Sequence, residues 1–269
     1  MGEPGEEIAF GVAEGDLEWG LLNPLFPVLL AASMRFPCAC LLALFAFSVL
    51  ADSPVQTEET FDGQVPVKLR YLLSLPRSYD ADPNEQWPLM LFLHGAGERG
   101  DDLSRVKKHG PPKLIEAGKE FPMVVVSPQC PAGHRWQVTE LMGLIDHIAA
   151  EHRIDPRRIY VTGLSMGGFG TWDLLAHAPE RFAAGVPICG GGEDLFADSI
   201  ARVPVRAYHG ADDPVVPLHR SEEMVDAVRA AGGDVELIVY EGVRHDSWTQ
   251  TYDDDRLYAW MLQQRLSTP

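Results

Sequence analysis

Arg158-Ile159-Tyr160-Val161-Thr162-Gly163-Leu164-Ser165-Met166-Gly167-Gly168-Phe169-Gly170-Thr171-Trp172-Asp173-Leu174-Leu175 decides the fold. Its first five residues form an apolar run of strand type. The residues after Gly167 read as a helix. Between them stands G-x-S-x-G, a sharp strand-to-helix turn that lifts a serine Oγ clear of a sheet. Glycines are required on both sides because a Cβ there collides with the neighbouring strand and helix. The turn also leaves backbone N–H groups at the helix N-terminus, where they favour negative charge. Ser165 is therefore the candidate nucleophile.

Outward from this stretch, apolar runs alternate with helical patterns. Strands are expected over 67–75, 88–93, 123–127, 158–162, 182–188, 203–208 and 234–240. Helices are expected around 113–117 and over 140–152, 167–177, 221–231 and 258–265. The run Pro88-Leu89-Met90-Leu91-Phe92-Leu93 is continuously apolar, as a strand buried on both faces should be. Strands alternating with helices predict an α/β fold, a mostly parallel central sheet with helices on both faces. No composition break divides 52–269, so one domain is expected there.

The N-terminal fifty residues differ from the rest. Residues 1–33 carry six acids and no Lys or Arg. Met34-Arg35 then opens an apolar run that ends at Val49-Leu50-Ala51. A basic start, an apolar stretch and small residues read as a signal peptide over 34–51. The run is short of the ~20 residues a membrane span needs. Residues 1–33 are accordingly read as an upstream extension beyond the true start. The mature chain is expected to begin near Asp52, in a secreted or periplasmic protein with no stable membrane insertion after cleavage. The formal charge of −17 excludes nucleic acid and anionic membrane surfaces as partners, since both need basic patches. Oligomeric state is not legible.

A serine nucleophile needs a base and an acid that orients it. Asp212 and Asp213 follow the strand 203–208, and His245 follows the last strand. The order Ser, acid, His is the one expected of a G-x-S-x-G turn, which makes His245 the base and leaves both aspartates open as the acid. No spacing resembles a metal site. His147 and His152 are five apart and do not stack on one helix face. Neither metal nor cofactor is expected.

His94-Gly95-Ala96-Gly97-Glu98-Arg99-Gly100-Asp101-Asp102, Gly163-Leu164-Ser165-Met166-Gly167, His209-Gly210-Ala211-Asp212-Asp213 and Gly242-Val243-Arg244-His245 together resemble the α/β-hydrolase superfamily. The resemblance is to its secreted carboxylesterase or "predicted peptidase" branch, near the dienelactone hydrolases and feruloyl esterases. It covers about residues 65–265 and implies the α/β-hydrolase fold. It places the acid at Asp213, with Asp212 as rival. It implies oxyanion donors at the N–H groups of Ala96 and Met166, in a loop shaped by His94 and Gly95, which count with the substrate-binding set. In such enzymes the histidine often follows a glycine directly; here Val243-Arg244 intervene.

His134 and Trp136 are expected near the mouth as pocket walls, with a packing lid on the sheet edge as the alternative. Glu98 and Arg99 are expected to fix the oxyanion loop. The resemblance implies hydrolysis of small-molecule or polysaccharide-linked esters, short-acyl or aryl, through an acyl-enzyme. A serine peptidase of prolyl-oligopeptidase type and a non-catalytic binding module are the alternatives. The segment between the strands 182–188 and 203–208 has room for one short helix and no large cap. In the usual strand order, the strands before Cys130 and Cys189 stand three spacings apart. That is roughly 14 Å, beyond the ~7 Å a disulfide spans, so both thiols are expected to be free.

Overall fold

The computed structural model describes residues 66–266. The extension 1–33, the signal segment 34–51 and the expected mature start at Asp52 lie outside the described residues. Among the described residues seven strands form one sheet: β1 (Arg70–Ser74), β2 (Trp87–Leu93), β3 (Val124–Gln129), β4 (Ile154–Leu164), β5 (Ala184–Ile188), β6 (Val205–Gly210) and β7 (Val235–Tyr240). Their order is β1-β3-β2-β4-β5-β6-β7. Only the edge strand β1 runs antiparallel, to β3; the other neighbours are parallel.

Burial explains the sequence pattern. Every residue of β2, β3 and β5 is buried, whereas the edge strands β1 and β7 are half-exposed. Because side chains alternate across a strand, β2 feeds two cores at once. Leu89, Leu91 and Leu93 enter the core on one face with Val124, Val126, Ile159 and Val161. Met90 and Phe92 enter the other with Val125 and Tyr160. At about 1.5–3 kcal/mol for each fully buried side chain of this size, the two faces of β2 alone tie both helical layers to the sheet.

The helices are α1 (Gly110–Glu116), α2 (Val138–Glu151), α3 (Met166–His177), α4 (Ala197–Ile200), α5 (His219–Ala230), α6 (Trp248–Asp253) and α7 (Asp255–Gln263). α2 buries Leu141, Leu144, Ile145 and Ile148, a spacing that puts all four on one face. α1 starts earlier than expected because Pro111 and Pro112 occupy its first turn, where a missing N–H is harmless. β4 also starts earlier, at Ile154, and absorbs its extra residues in a register shift against β2 between Trp87 and Leu89. The buried Asp155 holds that entry, accepting from Arg158 and Arg265. α6 was not expected; it is six residues long and has no apolar periodicity.

Between β5 and β6 lie a single turn, Asp194–Phe196, and the four-residue α4. This matches the expected single short helix without a cap. Cys130 and Cys189 are both free and buried. β3 and β5, the strands that precede them, stand three positions apart in the sheet, as the strand-order argument required.

Two glycines make the turn after β4 possible. A Cβ on Gly167 would stand 1.9 Å from the Leu93 carbonyl oxygen, and one on Gly163 would stand 2.3 Å from the Gly167 oxygen. Both obstacles are backbone and cannot swing aside. Gly143, exposed within α2, has nothing within 4 Å of its hypothetical Cβ. Gly167→Ala should therefore destabilise by about 3 kcal/mol or more, lowering Tm by at least about 6 °C. Gly143→Ala should raise stability by about 0.5–1 kcal/mol. Thermal unfolding of the pair checks both signs.

Candidate active site

β4 ends at Leu164 and α3 begins at Met166, so the whole change of direction falls on Ser165. Its φ is 51° and its ψ −115°, a conformation that non-glycine residues rarely adopt. Neighbouring backbone holds it there. The Ser165 N–H donates to Ile188 O at the end of β5, and the Phe169 N–H donates to Ser165 O, at 2.9 and 3.1 Å. The hydroxyl is thereby presented above the carboxyl ends of the strands.

His245 arrives in the loop after β7. Its Nε2 lies 3.0 Å from Ser165 Oγ and its Nδ1 2.7 Å from Asp213 Oδ2. Asp213, in the loop after β6, accepts at Oδ1 from the N–H groups of Val215 and Val216, at 2.8 and 3.0 Å. Asp213 is buried and Asp212 is exposed, and Asp213 is the one that meets His245. Burial pulls the Asp213 carboxyl upward, but the bonds from His245 and the two N–H groups outweigh it and hold it below the ordinary carboxylate range. The Val243-Arg244 insertion is absorbed by close backbone contact. The Asp212 N–H donates to Val243 O at 3.0 Å, and a Cβ on Gly210 would stand 2.1 Å from Arg244 O. The Trp248 ring meets the His245 ring edge-on at 5.2 Å.

Ala96 and Met166, the expected oxyanion donors, both line one cavity. Met166 is the first residue of α3, and Ala96 opens a short 3-10 turn, Ala96–Glu98. A first-turn N–H has no partner within its helix. Arg99 Nε donates to Ala96 O at 3.0 Å, Arg105 to Gly97 O at 2.7 Å and Gln129 to Glu98 O at 2.9 Å. The Glu98 carboxylate is itself buried, 3.8 Å from His109 Nε2. His109 caps α1 and packs its ring against Trp248.

His94 differs from its expected place in the substrate-binding set. It is fully buried. Its Nδ1 donates to Gly95 O at 2.6 Å, which leaves Nε2 to accept the Cys130 N–H at 3.0 Å. That pair of partners requires the neutral ring, and burial pushes its pKa down to about 4. Gly95 is also buried, packed against Leu164. Both are buried in the loop, and neither lines the cavity beside it.

A cavity of about 410 Å³ is lined by Ala96 and by Met166, the residue after Ser165. Trp136 and Phe169 form its aromatic walls, and Arg99, Asp173 and Arg220 are among its polar ones. Trp136 Nε1 donates to His94 O at 3.1 Å, so this wall also braces the loop. His134 does not line the cavity. Its side chain is exposed, and its carbonyl takes a bond from Arg99 at 3.2 Å. Phe169 and Asp173 were missed from sequence, although they lie on α3 at the spacing that continues the face of Met166. Burial raises the Asp173 carboxyl above its ordinary range.

Among the described residues, the Cys/Asp/His group spaced for a metal is Cys189, Asp213 and His245. Two of its members already bond one another. Cys189 is buried with φ at 40°, and burial pushes its thiol up to about 12, so it sits as a protonated packing residue. Chemically, the line of Oγ, imidazole and carboxylate can transfer a proton from a hydroxyl.

Residues 134–258 match the model of the Dienelactone hydrolase family. That span takes in Ser165, Asp213 and His245 and leaves out the Ala96 loop. The chain is 29% identical over 180 residues to poly(3-hydroxyalkanoate) depolymerase C of Paucimonas lemoignei, covering 61% of this chain and 40% of that one. It is 29% identical over 164 residues to the probable feruloyl esterase C of Aspergillus terreus, covering 58% of this chain and 59% of that one. A crystallised thermostable esterase superposes with a TM-score of 0.66 at 33% identity, over 76% of this chain and 61% of its own. The chain thus spans about two-fifths to three-fifths of the length of these relatives.

Asp213→Asn should lower turnover of any substrate attacked by Ser165 by about 10²- to 10⁴-fold, because the amide cannot orient the required imidazole tautomer. Asp212→Asn should stay within about twofold. Steady-state rates of the two variants on one aryl ester separate them.

Proposed function

We propose that this chain, a member of the α/β-hydrolase superfamily matched within it to the dienelactone hydrolase family, is a secreted serine carboxylesterase acting on short-acyl or aryl esters. The observation that carries the reading is the line Ser165 Oγ, His245, Asp213, with contacts of 3.0 and 2.7 Å. His245 takes the Ser165 proton as Oγ attacks the ester carbonyl. The imidazolium is stabilised by Asp213. The N–H groups of Ala96 and Met166 receive the oxyanion. Collapse expels the alcohol, protonated by His245, and leaves an acyl-enzyme. Water, deprotonated by His245, then releases the acid.

The walls of the cavity that begins at Met166, next to Ser165, support this substrate class. Trp136 and Phe169 suit an aryl or short acyl group, and the guanidinium and carboxylate groups around them keep the site wet. Extra methylenes gain little where apolar area stays in contact with water. With only a turn and a four-residue helix between β5 and β6, nothing in that segment covers a long chain. An open cleft also admits a bulky alcohol, such as a polysaccharide bearing acetyl or feruloyl groups. The names of the two sequence relatives, a poly(3-hydroxyalkanoate) depolymerase and a probable feruloyl esterase, support this reading. Export rests on the signal-like segment 34–51. Among the described residues no helix is long and apolar enough to cross a membrane.

Hydrolysis of p-nitrophenyl esters from acetate to laurate tests the proposal. kcat/KM should be highest at four carbons or fewer, and Ser165→Ala should lose on the order of 10⁴-fold or more. A maximum at twelve carbons, or undiminished turnover by the alanine variant, contradicts it.

A further inference from the structure

A second imidazole shares the acid. His209, at the end of β6, is fully buried, and the proposed acyl transfer gives it no task. Its Nε2 lies 2.8 Å from Val216 O and 3.3 Å from Asp213 Oδ2. Both neighbours are acceptors, so Nε2 must carry a proton. Its Nδ1 lies 2.7 Å from Ser221 Oγ, on α5, and that oxygen is 2.9 Å from Gly190 O. Gly190 packs against the nucleophile helix so closely that a Cβ on it would stand 2.6 Å from the Gly168 carbonyl carbon. Close polar contacts therefore run from the acid loop through His209 and Ser221 to the backbone behind the nucleophile, with one Ser221 proton serving either Nδ1 or Gly190 O.

We propose that His209 is a positioning residue of the site: its Nε2–H, shared between Asp213 and Val216 O, fixes the acid loop and limits the basicity of the Asp213 carboxylate. The inference rests on the reading of Ser165, His245 and Asp213 as the reacting line. Asp213 then has four polar neighbours. Val215 and Val216 N–H bond Oδ1, His245 bonds Oδ2, and His209 Nε2 stands 3.3 Å from the same Oδ2. An Oδ2 shared between two imidazoles is a weaker partner for either one. Removing the His209 donor leaves His245 facing a more basic carboxylate, so His245 keeps its proton to higher pH. The ionisable groups that act on His209 are Asp213, which favours its charged form, and His245, which disfavours it. Burial outweighs both and holds its pKa below the ordinary histidine value, so the resting ring is neutral, and the single Ser221 hydroxyl proton stands between two acceptors, Nδ1 at 2.7 Å and Gly190 O at 2.9 Å.

Two measurements test this. The first is ¹⁵N NMR of the histidine-labelled wild-type protein, which reads the tautomer without reference to activity. An Nε2–H or doubly protonated His209 supports the inference, and a neutral Nδ1–H ring overturns it. The second is the pH profile of kcat/KM for His209→Leu, His209→Gln and His209→Asn on a short aryl ester. In Gln the amide N–H reaches the Nε2 position. That variant should keep the acid limb in place and stay within about threefold of the wild-type rate. Leu should lower kcat about five- to tenfold or more, as loss of one buried hydrogen bond does, with KM nearly unchanged. Its acid limb should move up by about half a pH unit or more. A folded Leu variant with an unmoved acid limb overturns the proposal. Should Leu not fold, Asn, whose amide reaches only the Nδ1 side, must behave worse than Gln; equality of the two overturns it. Failure of the triad reading itself shows separately, as full activity of Ser165→Ala.

Discussion

The strained turn at Ser165 is the constraint on which the rest of the structure depends. A serine at φ 51° is held by no bond of its own side chain to the backbone. It persists because the Leu93 carbonyl, the Gly167 backbone and Ile188 O leave the chain no other path. Those three contacts come from β2, α3 and β5. The turn therefore needs the full parallel sheet, with β4 between β2 and β5, before it can form. That order also stacks the loops after β2, β4, β6 and β7 at one end of the sheet, where the reacting groups meet.

Electrostatics then divides the work among similar residues. Three buried or half-buried histidines serve three different ends because their partners differ. His94 is closed onto backbone on both sides and stays neutral. His209 is held between acceptors and a hydroxyl. His245 places one ring nitrogen on Ser165, at the strained turn, and the other on Asp213. Asp213 remains ionised in a buried setting only because its donors outweigh the desolvation penalty. The Ala96 loop is tied from outside by Arg99, Arg105 and Gln129, which bond its carbonyls and hold its backbone in place.

Much of this was legible because it depends on local pattern. The apolar run of β2, the glycine-flanked serine and the order of acid and base are each visible within a few residues. What was not legible depends on partners brought together by the sheet. His94 sits in a loop motif that suggests substrate contact, yet its ring turns inward to Cys130, 36 residues away. His134 looked like a wall and is exposed, while Asp173, one face of α3 onward from Met166, lines the cavity. α6 is too short for its mixed composition to show a period. The choice of Asp213 over Asp212 rested on a resemblance, because adjacent aspartates cannot be separated by pattern. The loop after β6 separates them physically, burying one and exposing the other.

The central claim is that a single activated serine carries the chemistry, and covalent trapping tests it most directly. An aryl phosphonate should react once per chain, abolish ester hydrolysis in step with labelling, and appear by peptide mass spectrometry on Ser165. Labelling at another residue that tracks the loss of activity, or full activity with Ser165 phosphonylated, would contradict the account.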